Sequence, residues 1–397
     1  NKFVQADYGK ATRKYLSDKK AVRQLVDFGD QQVFDDATTY TMLTFLSSSP
    51  TEKFKYALVR NLERTLSQLM KVKNNEKLDE RSITILTQAT STLSESPWVF
   101  PSAGEEKIFE KLKMEKTLKD VRRRVFQGLV TGADPVFILK IVEEKDSLVN
   151  VFSKSMNKEY ILEKAMIKPL LKGKDIIKWT VEAMDEVILF PYIIKDEKAK
   201  LLDVQTFETR YPRTWNYLLD NKSLLEARER GKWRGVSNWY AYGRRQNLEQ
   251  FDQPKIMTQV LSDRSSFALD DAGFYYFVGG GNAGGYGIVL KCDRKLSLPF
   301  LCSLLNSSIL DWNLKKISTR FRGGFYSYAR RYLERLPIKI PSTETEAHIK
   351  SSIESLVKQI IGHRQAEKHY KKLWNYWSFQ LKGNEYVLGK ILESDFE

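Results

Sequence analysis

The stretch "VRQLVDFGDQQVFDDATTYTMLTFL" at residues 22–46 decides how the N-terminal part of the chain folds. It opens with the apolar run "VRQLVDFG" and closes with "ATTYTMLTFL", which is rich in β-branched and aromatic residues. Both compositions are typical of strands. The preceding residues 8–20 have helical character. We therefore predict the order helix, strand, loop, strand over residues 8–46.

Three further regions follow toward the C-terminus. Residues 51–125 combine helical charge patterns with little strand signal, which predicts a mainly helical connector. Over 126–341, short β-rich runs alternate with helical stretches and Gly-rich loops, which predicts a mixed α/β domain. Over 342–397, apolar residues recur at helical spacing and predict a long packed helix. These residues are Ile349, Ile353, Leu356, Val357, Ile360, Ile361, Tyr370, Leu373, Trp374 and Trp377. The expected fold class is α/β (α+β).

The composition is that of a folded protein that attracts polyanions. Hydrophobic residues make up 42% of the chain and aromatic residues 12%, which lies outside the range of disordered proteins. Lys and Arg number 65 against 50 Asp and Glu, and the net charge of +15 favours nucleic acid over an anionic membrane as the partner. The longest apolar runs, such as 187–194, are too short to span a membrane, so we expect a soluble, cytoplasmic protein. Cys292 and Cys302 show no metal spacing, so no structural zinc is expected.

A family resemblance begins at the N-terminus. Residues 1–16, "NKFVQADYGKATRKYL", together with 22–46 resemble the end of the catalytic domain in gamma-class adenine-N6 DNA methyltransferases of combined restriction–modification enzymes. The resemblance implies that residues 1–50 supply the last strands of a Rossmann-like methyltransferase sheet.

The resemblance continues over the rest of the chain. The segments "FQGLVTGADPVFIL" at 126–139, "PLLKGKDIIKW" at 169–179 and "VILFPY" at 187–192 are similar to parts of the TaqI-like C-terminal specificity domain. The block from "GKWRGVSNWYAYGRRQNL" to "FRGGFYSYARRYLERLPIKIP", at 231–341, follows the order and spacing of the remainder. One departure is Ala133-Asp134, where the family pattern more often has an apolar residue and Asn, and it puts in doubt any role carried over to Asp134.

The resemblance implies a function for the parent protein. The chain is similar to the DNA-reading, C-terminal portion of a bacterial, type IIG adenine-N6 DNA methyltransferase, with or without a fused endonuclease, whose cofactor is S-adenosylmethionine. The family's "NPP" motif and Gly-rich cofactor loop do not occur in this sequence. We therefore expect this fragment alone, with Asn1 just after the lost motif, to bind no S-adenosylmethionine and to transfer no methyl group. The expected partner is double-stranded DNA, and the oligomeric state stays open. The alternative is a stand-alone, non-catalytic nucleic-acid binding module.

Phe34 has two interpretations. By resemblance, it aligns with the family's aromatic residue that stacks on the target adenine after this base is swung out of the duplex. Because aromatic residues at strand ends usually pack inside, the alternative is an ordinary core Phe. Both interpretations stay open at the level of sequence.

Basic and aromatic residues interleave in two clusters. Basic side chains neutralise phosphates, Arg can also read guanine, and aromatic rings can stack on bases. The alternative is a solvated, charged face. The first cluster comprises Lys232, Trp233, Arg234, Trp239, Tyr240, Tyr242, Arg244 and Arg245. The second comprises Lys315, Lys316, Arg320, Arg322, Arg330 and Arg331. Lys172 and Lys174 are weaker candidates for DNA contact.

The segment "GGGNAGG" at 279–285 contains G-x-G-x-x-G but does not predict a dinucleotide site. It follows a predicted strand and leads into another strand at 286–290, whereas the dinucleotide motif opens a helix. A loop that approaches a phosphate backbone and a plain turn both remain open, with Asn282 as the base-reading candidate.

Two other patterns are assigned no chemistry. The triplet Asp196-Glu-Lys198 lacks the upstream Pro-Asp partner that a nuclease site would need. His348, His363 and His369 lie in or beside the predicted C-terminal helix and are expected to be solvated rather than metal ligands.

Overall fold

The chain forms two compact units, each built from segments that are distant in sequence. The first unit comprises Asn1–Asp120, Leu261–Ser265 and Ser307–Lys339, and the second comprises Val121–Val260, Ser266–Asn306 and Ile340–Glu397. The computed structural model describes residues 2–37, 39–64, 67–68, 70–71, 79, 81–182, 185–291 and 295–382.

Most strands are short and follow one another closely along the chain. They are β1 (Val22–Asp27), β2 (Met42–Leu46), β3 (Lys53–Val59), β4 (Ile83–Ala89), β5 (Lys116–Thr117), β6 (Arg122–Gln127), β7 (Ile138–Lys145), β8 (Leu148–Ser153), β9 (Lys158–Glu163), β10 (Ile167–Leu171), β11 (Ile176–Ile177), β12 (Thr180–Val181), β13 (Glu186–Leu189), β14 (Tyr192–Lys195), β15 (Lys198–Leu201), β16 (Lys255–Gln259), β17 (Leu261–Ser262), β18 (Phe267–Asp270), β19 (Tyr276–Phe277), β20 (Gly285–Leu290), β21 (Arg320–Phe321), β22 (Phe325–Ser327) and β23 (Pro337–Ile338).

The α-helices range from a single turn to one long C-terminal helix. They are α1 (Lys10–Asp18), α2 (Ala103–Lys113), α3 (Leu118–Val121), α4 (Asp134–Phe137), α5 (Val204–Arg210), α6 (Pro212–Asp220), α7 (Lys222–Glu226), α8 (Leu298–Leu305), α9 (Ser308–Ile317), α10 (Arg330–Leu333) and α11 (Glu344–Lys382). None of the helices in the described part of the chain is long and apolar enough to cross a membrane.

The first unit contains a four-stranded sheet of order β2-β1-β3-β4, in which β1 runs parallel to β3 and the other neighbours are antiparallel. The order helix, strand, loop, strand predicted over 8–46 matches α1, β1 and β2. The buried side chains of β1, Val22 and Leu25, pack with Phe54 of β3 and with Leu16 and Trp98.

The helical prediction for 51–125 differs from the structure, which places β3 and β4 there. In β3, Lys53 and Lys55 are exposed whereas Phe54 and Tyr56 are buried, so charged and aromatic residues alternate with the two-residue period of a strand. The charged residues of 51–125, taken without their strand partners, predict a helix. Pairing with β1 on one side and β4 on the other fixes the segment as a strand.

The second unit is a mixed α/β structure with two main sheets, in agreement with the predicted class. One sheet has the order β19-β10-β13-β7-β8-β9 and the other the order β18-β16-β20-β6. Aromatic residues fill its core, and Phe251 stacks on Tyr276 with ring centroids 5.0 Å apart. Cys302 is buried here, which raises the pKa of its thiol to about 12 and leaves it unreactive at neutral pH. Cys292 lies outside the described residues.

The predicted C-terminal helix is present as α11, but it is less packed than the sequence suggested. Val357 is buried, whereas Ile349 and Leu356 are more than half exposed. His348, His363 and His369 are exposed. Within the described residues, no group of His, Cys, Asp or Glu could hold a metal ion.

A buried ion pair joins β16 to β18 in the second unit. Lys255 is 0% exposed, and its Nζ lies 2.5 Å from Asp270 Oδ2 and 2.6 Å from the Phe251 carbonyl oxygen. The Asp270 carboxylate also accepts the backbone N–H groups of Phe274 and Tyr275. Burial lowers the pKa of Lys255, and the attraction of Asp270 opposes that shift.

Removing the Lys255 charge should therefore destabilise the second unit. Replacement of one partner leaves the other charge buried and unpaired, so Lys255→Met should lower the free energy of unfolding by about 3–5 kcal/mol. Chemical denaturation measures this change. The control is Lys164→Met, which removes a half-exposed lysine that lies equally close, at 2.5 Å, to Glu144. Equal unfolding midpoints for the two variants would contradict the assignment.

Candidate nucleic-acid interface

Five turns of the second unit are tied side by side, and we call them the loop cluster. They comprise residues 128–132, 172–175, 228–235, 243–247 and 279–284. Backbone hydrogen bonds of 2.7–3.1 Å link four of them or the strands that carry them: Arg244 N to Val130 O, Gly243 N to Thr131 O, Gly279 N to Leu129 O, Leu129 N to Phe277 O and Val278 N to Leu171 O. The fifth turn, 228–235, is joined through the Arg228 side chain, which donates to the Thr131 carbonyl at 3.2 Å. The cluster thus connects segments up to about 150 residues apart.

Glycines allow the backbones of these turns to approach closely. A Cβ on Gly173 would lie 2.5 Å from the Gly284 carbonyl oxygen, and a Cβ on Gly279 would overlap the carbonyl of Gly128. These glycines are needed for packing, so the motif at 279–285 is largely a structural one. Its tip is open, because a Cβ on Gly280 or Gly281 would meet nothing within 4 Å. Asn282 is exposed at this tip.

The loop cluster brings together most of the first predicted set of basic residues. Arg234, Arg244 and Arg245 are exposed, and their side chains form no hydrogen bond or ion pair with another residue in the described ranges. Lys174 is exposed as well, on the turn that contacts the Asn282 turn. Four cations and one amide are therefore available to a ligand.

Two other predicted lysines of the loop cluster are partly neutralised. Lys172 Nζ lies 2.6 Å from the Glu186 carboxylate. Lys232 is exposed and lies 3.6 Å from Glu229, which makes a loose surface pair. A phosphate would have to compete with these carboxylates for either lysine.

Three predicted aromatic contacts belong to the core instead. Trp239, Tyr240 and Tyr242 are all buried. The Tyr240 hydroxyl donates to the Leu202 carbonyl at 2.7 Å, and the Tyr242 hydroxyl donates to the Leu189 carbonyl at 2.6 Å. Burial raises the pKa of Tyr242 well above its usual value. These three rings pack beneath the loop cluster, and because they are buried they cannot stack on bases in this conformation.

Arg228 is a structural residue of the loop cluster that the sequence did not single out. It is 8% exposed, and its guanidinium donates to four backbone carbonyls, those of Thr131, Leu225, Trp239 and Ala241, at 2.5–3.2 Å. Its Cζ also lies 4.2 Å from the centroid of the Trp233 ring. Burial lowers the pKa of Arg228. In "EARERGKWRG" nothing distinguishes this buried arginine from its exposed neighbours.

Asp134 and the triplet at 196–198 have local structural roles. At the start of α4, the Thr131 hydroxyl donates a hydrogen bond of 2.5 Å to the Asp134 carboxylate. Asp196 lies in the turn between β14 and β15 with φ of 51°.

The second predicted cluster lies in the first unit, and most of its cations are paired. The pairs are Lys315–Asp311 at 2.7 Å, Lys316–Glu105 at 2.5 Å, Arg320–Asp30 at 3.1 Å and Arg330–Glu334 at 2.8 Å. Arg331 instead lies over the ring of Tyr332, 4.8 Å from its centroid. Both clusters lie in the region 126–341, and the structure places residues 307–339 in the first unit, where β22 pairs with β17 and β23 with β5.

Arg320 and Arg322 fasten the loop between β1 and β2. Arg320 pairs with Asp30, while Arg322 donates through its side chain to Gln32 and through its backbone N–H to the Tyr40 hydroxyl. Phe34 lies between these anchor points and is 54% exposed. The interpretation of Phe34 as a buried core residue therefore does not hold.

Comparison with known proteins gives the chain a family context. Residues 168–338 match the model of the TaqI-like C-terminal specificity domain. The chain is 26% identical over 354 residues to the type II restriction enzyme and methyltransferase RM.Eco57I of Escherichia coli, which covers 85% of the chain and 34% of that protein. It is 21% identical over 362 residues to the type II methyltransferase M.BstVI of Geobacillus stearothermophilus, with coverage of 87% and 58%.

Among solved structures, the chain is similar to the type IIG restriction endonuclease BpuSI, with a TM-score of 0.41 and 10% identity over 90% of this chain and 41% of that one. The chain spans between about a third and three fifths of the length of the two relatives. Residues 168–338 thus match the TaqI-like C-terminal specificity domain, in a chain that is similar over most of its length to type II restriction–modification methyltransferases.

Proposed function

We propose that this chain reads the sequence of double-stranded DNA for a site-specific adenine-N6 DNA methyltransferase, and that the loop cluster of the second unit makes the sequence-reading contacts. The observation that carries the proposal is a set of exposed cations that have no hydrogen-bond or ion-pair partner within the described ranges: Lys174, Arg234, Arg244 and Arg245, next to Asn282.

The loop cluster differs from other basic surfaces of the protein in whether its cations are held by carboxylates. A lysine or arginine already held by a carboxylate contributes little field to an incoming phosphate, and breaking the pair adds to the work of binding. An unpaired arginine can bind a phosphate or the O6 and N7 atoms of guanine, and an asparagine can pair with adenine. The loop cluster offers both residue types without competing partners in the described part of the chain.

Phe34 is proposed to stack on the target adenine after it leaves the duplex. Its half-exposed ring and the fastening of its loop by Arg320 and Arg322 support this role, since a stacking platform must be both accessible and fixed. In this reading, Arg320 and Arg322 position the platform rather than contact DNA directly.

We propose that the methyltransferase served by this chain uses S-adenosylmethionine as its methyl donor. The relatives named above are methyltransferases, and one is also a restriction enzyme. We further propose that β1 and β2 are the last strands of a Rossmann-like catalytic sheet. The parallel pairing of β1 with β3 is compatible with such a sheet. The cytoplasm, where chromosomal DNA is accessible, is the proposed compartment.

Loss of the free arginines should change how DNA binding depends on salt. Each phosphate contact contributes about 0.9 to the slope of log affinity against log salt. If Arg244 and Arg245 both contact phosphates, Arg244→Gln with Arg245→Gln should reduce that slope by roughly 1.8. Fluorescence anisotropy with a labelled duplex at several salt concentrations measures this slope.

The control for this experiment is Lys164→Gln, which removes one charge from a pair with Glu144 in the same unit. It should leave the slope nearly unchanged. The proposal fails if the double variant and the control have the same slope, or if the chain binds DNA independently of salt.

Truncation of Phe34 should slow methylation by the full-length protein without weakening DNA binding. Stacking on an aromatic ring contributes roughly 1–3 kcal/mol per base. Phe34→Ala should therefore reduce turnover by about 5- to 150-fold. A substrate with the target adenine opposite a mismatch should recover part of the lost rate, because the weakened pair opens more easily.

The matched control is Phe45→Ala, which removes another half-exposed phenylalanine of the first unit, on β2. It should leave turnover unchanged. A Phe34→Ala protein with a lowered melting temperature, weaker DNA binding and no rescue by the mismatch would show that the ring has only a structural role.

A further inference from the structure

The segment Arg228–Gly235 of the loop cluster has an unusual backbone. Glu229 (φ 49°, ψ 45°) and Arg230 (φ 62°, ψ 35°) are consecutive non-glycine residues in the left-handed region. Gly231 follows at φ 83° and Gly235 at φ 68°. Residues with a Cβ rarely adopt this conformation, and they keep it only where the surrounding structure imposes it.

Contacts on both sides of Glu229 and Arg230 impose this left-handed conformation. On the N-terminal side, Arg228 is held by its four backbone carbonyls. On the C-terminal side, the Trp233 ring packs against the guanidinium of Arg228, and the Arg234 N–H donates to the Gly231 carbonyl at 3.1 Å. The loop is therefore closed on itself and anchored to the core at one buried residue.

This anchoring leaves two guanidinium groups on a fixed support. Arg230 and Arg234 are exposed, and neither side chain forms a hydrogen bond or ion pair with any residue that the structure describes. Arg230 was not among the residues predicted from the sequence. It extends from the second of the two strained positions, so the unfavourable backbone conformation directly determines where its side chain starts.

We propose that Arg228–Gly235 is a preformed base-reading loop and that Arg230 is a specificity-determining residue that contacts a guanine edge in the major groove. The inference rests on the proposed function of the loop cluster and assigns it a definite contact. A phosphate attracts a cation over several ångströms and tolerates a mobile side chain. Bidentate pairing with guanine requires the guanidinium in a defined plane, and a rigid support narrows the positions that the guanidinium can take.

The test compares the sites that variants select from a randomised duplex pool, read by sequencing the bound fraction. Arg230→Lys keeps the charge but loses the planar fork of two donors. It should relax the preference at one guanine position by roughly 5- to 150-fold, the range for one bidentate pair, while the other positions and the salt slope stay the same. Arg213→Lys is the matched control, because Arg213 is an exposed arginine of the same unit outside the loop cluster.

The outcomes separate this inference from the function on which it rests. A chain that selects no site, or binds DNA without salt dependence, contradicts the proposed function itself. A chain that selects a site which Arg230→Lys leaves unchanged overturns the assignment of Arg230. Arg230→Ala that weakens binding to all sequences equally, at an unchanged melting temperature, would make Arg230 a phosphate contact and also overturn it. Relaxation at one position, absent in Arg213→Lys, supports it.

Discussion

The buried guanidinium of Arg228 is the interaction on which the loop cluster depends. A cation inside a protein must replace its hydration with fixed partners, and here the partners are four backbone carbonyls contributed by three segments of the chain. A guanidinium keeps its charge because its pKa is very high, and here carbonyl oxygens rather than a carboxylate accept its hydrogen bonds. The same contacts fix the positions of residues 131, 225, 239 and 241 relative to one another, so a single side chain sets the geometry of the exposed turns.

Close backbone packing makes that arrangement possible. Glycines at 128, 173, 279 and 284 let neighbouring turns approach to distances that a Cβ would prevent. The aromatic residues Trp239, Tyr240 and Tyr242 then fill the space beneath the turns, and the two tyrosine hydroxyls find acceptors within the core. Sequence-selective recognition of a charged polymer requires exposed cations on a rigid support. Here the buried rings and close-packed glycines form the support, and the exposed turns carry the cations.

Charge is used differently in the two units. In the first unit, carboxylates and amides hold most of the predicted cations, and two arginines fix the loop that carries Phe34. In the second unit, Arg230, Arg234, Arg244 and Arg245 have no such partners in the described ranges. A net charge of +15 is therefore a poor guide to location, because it does not show which cations lack a carboxylate partner.

The sequence by itself determined the elements whose signal is local. The β-branched and aromatic run at 22–46 gave the strand pair, the helical spacing gave α11, and the motifs at 126–341 gave the resemblance to the specificity domain. Only the tertiary structure decided that Lys53–Val59 is a strand, that Tyr242 is core and that Phe34 is exposed. It also decided that Arg320 is paired, whereas Arg244 has no ion-pair partner among the described residues. The physical reason is that burial and ion pairing depend on partners far along the chain. Arg320 and Asp30 are separated by 290 residues, and no local pattern records that they meet.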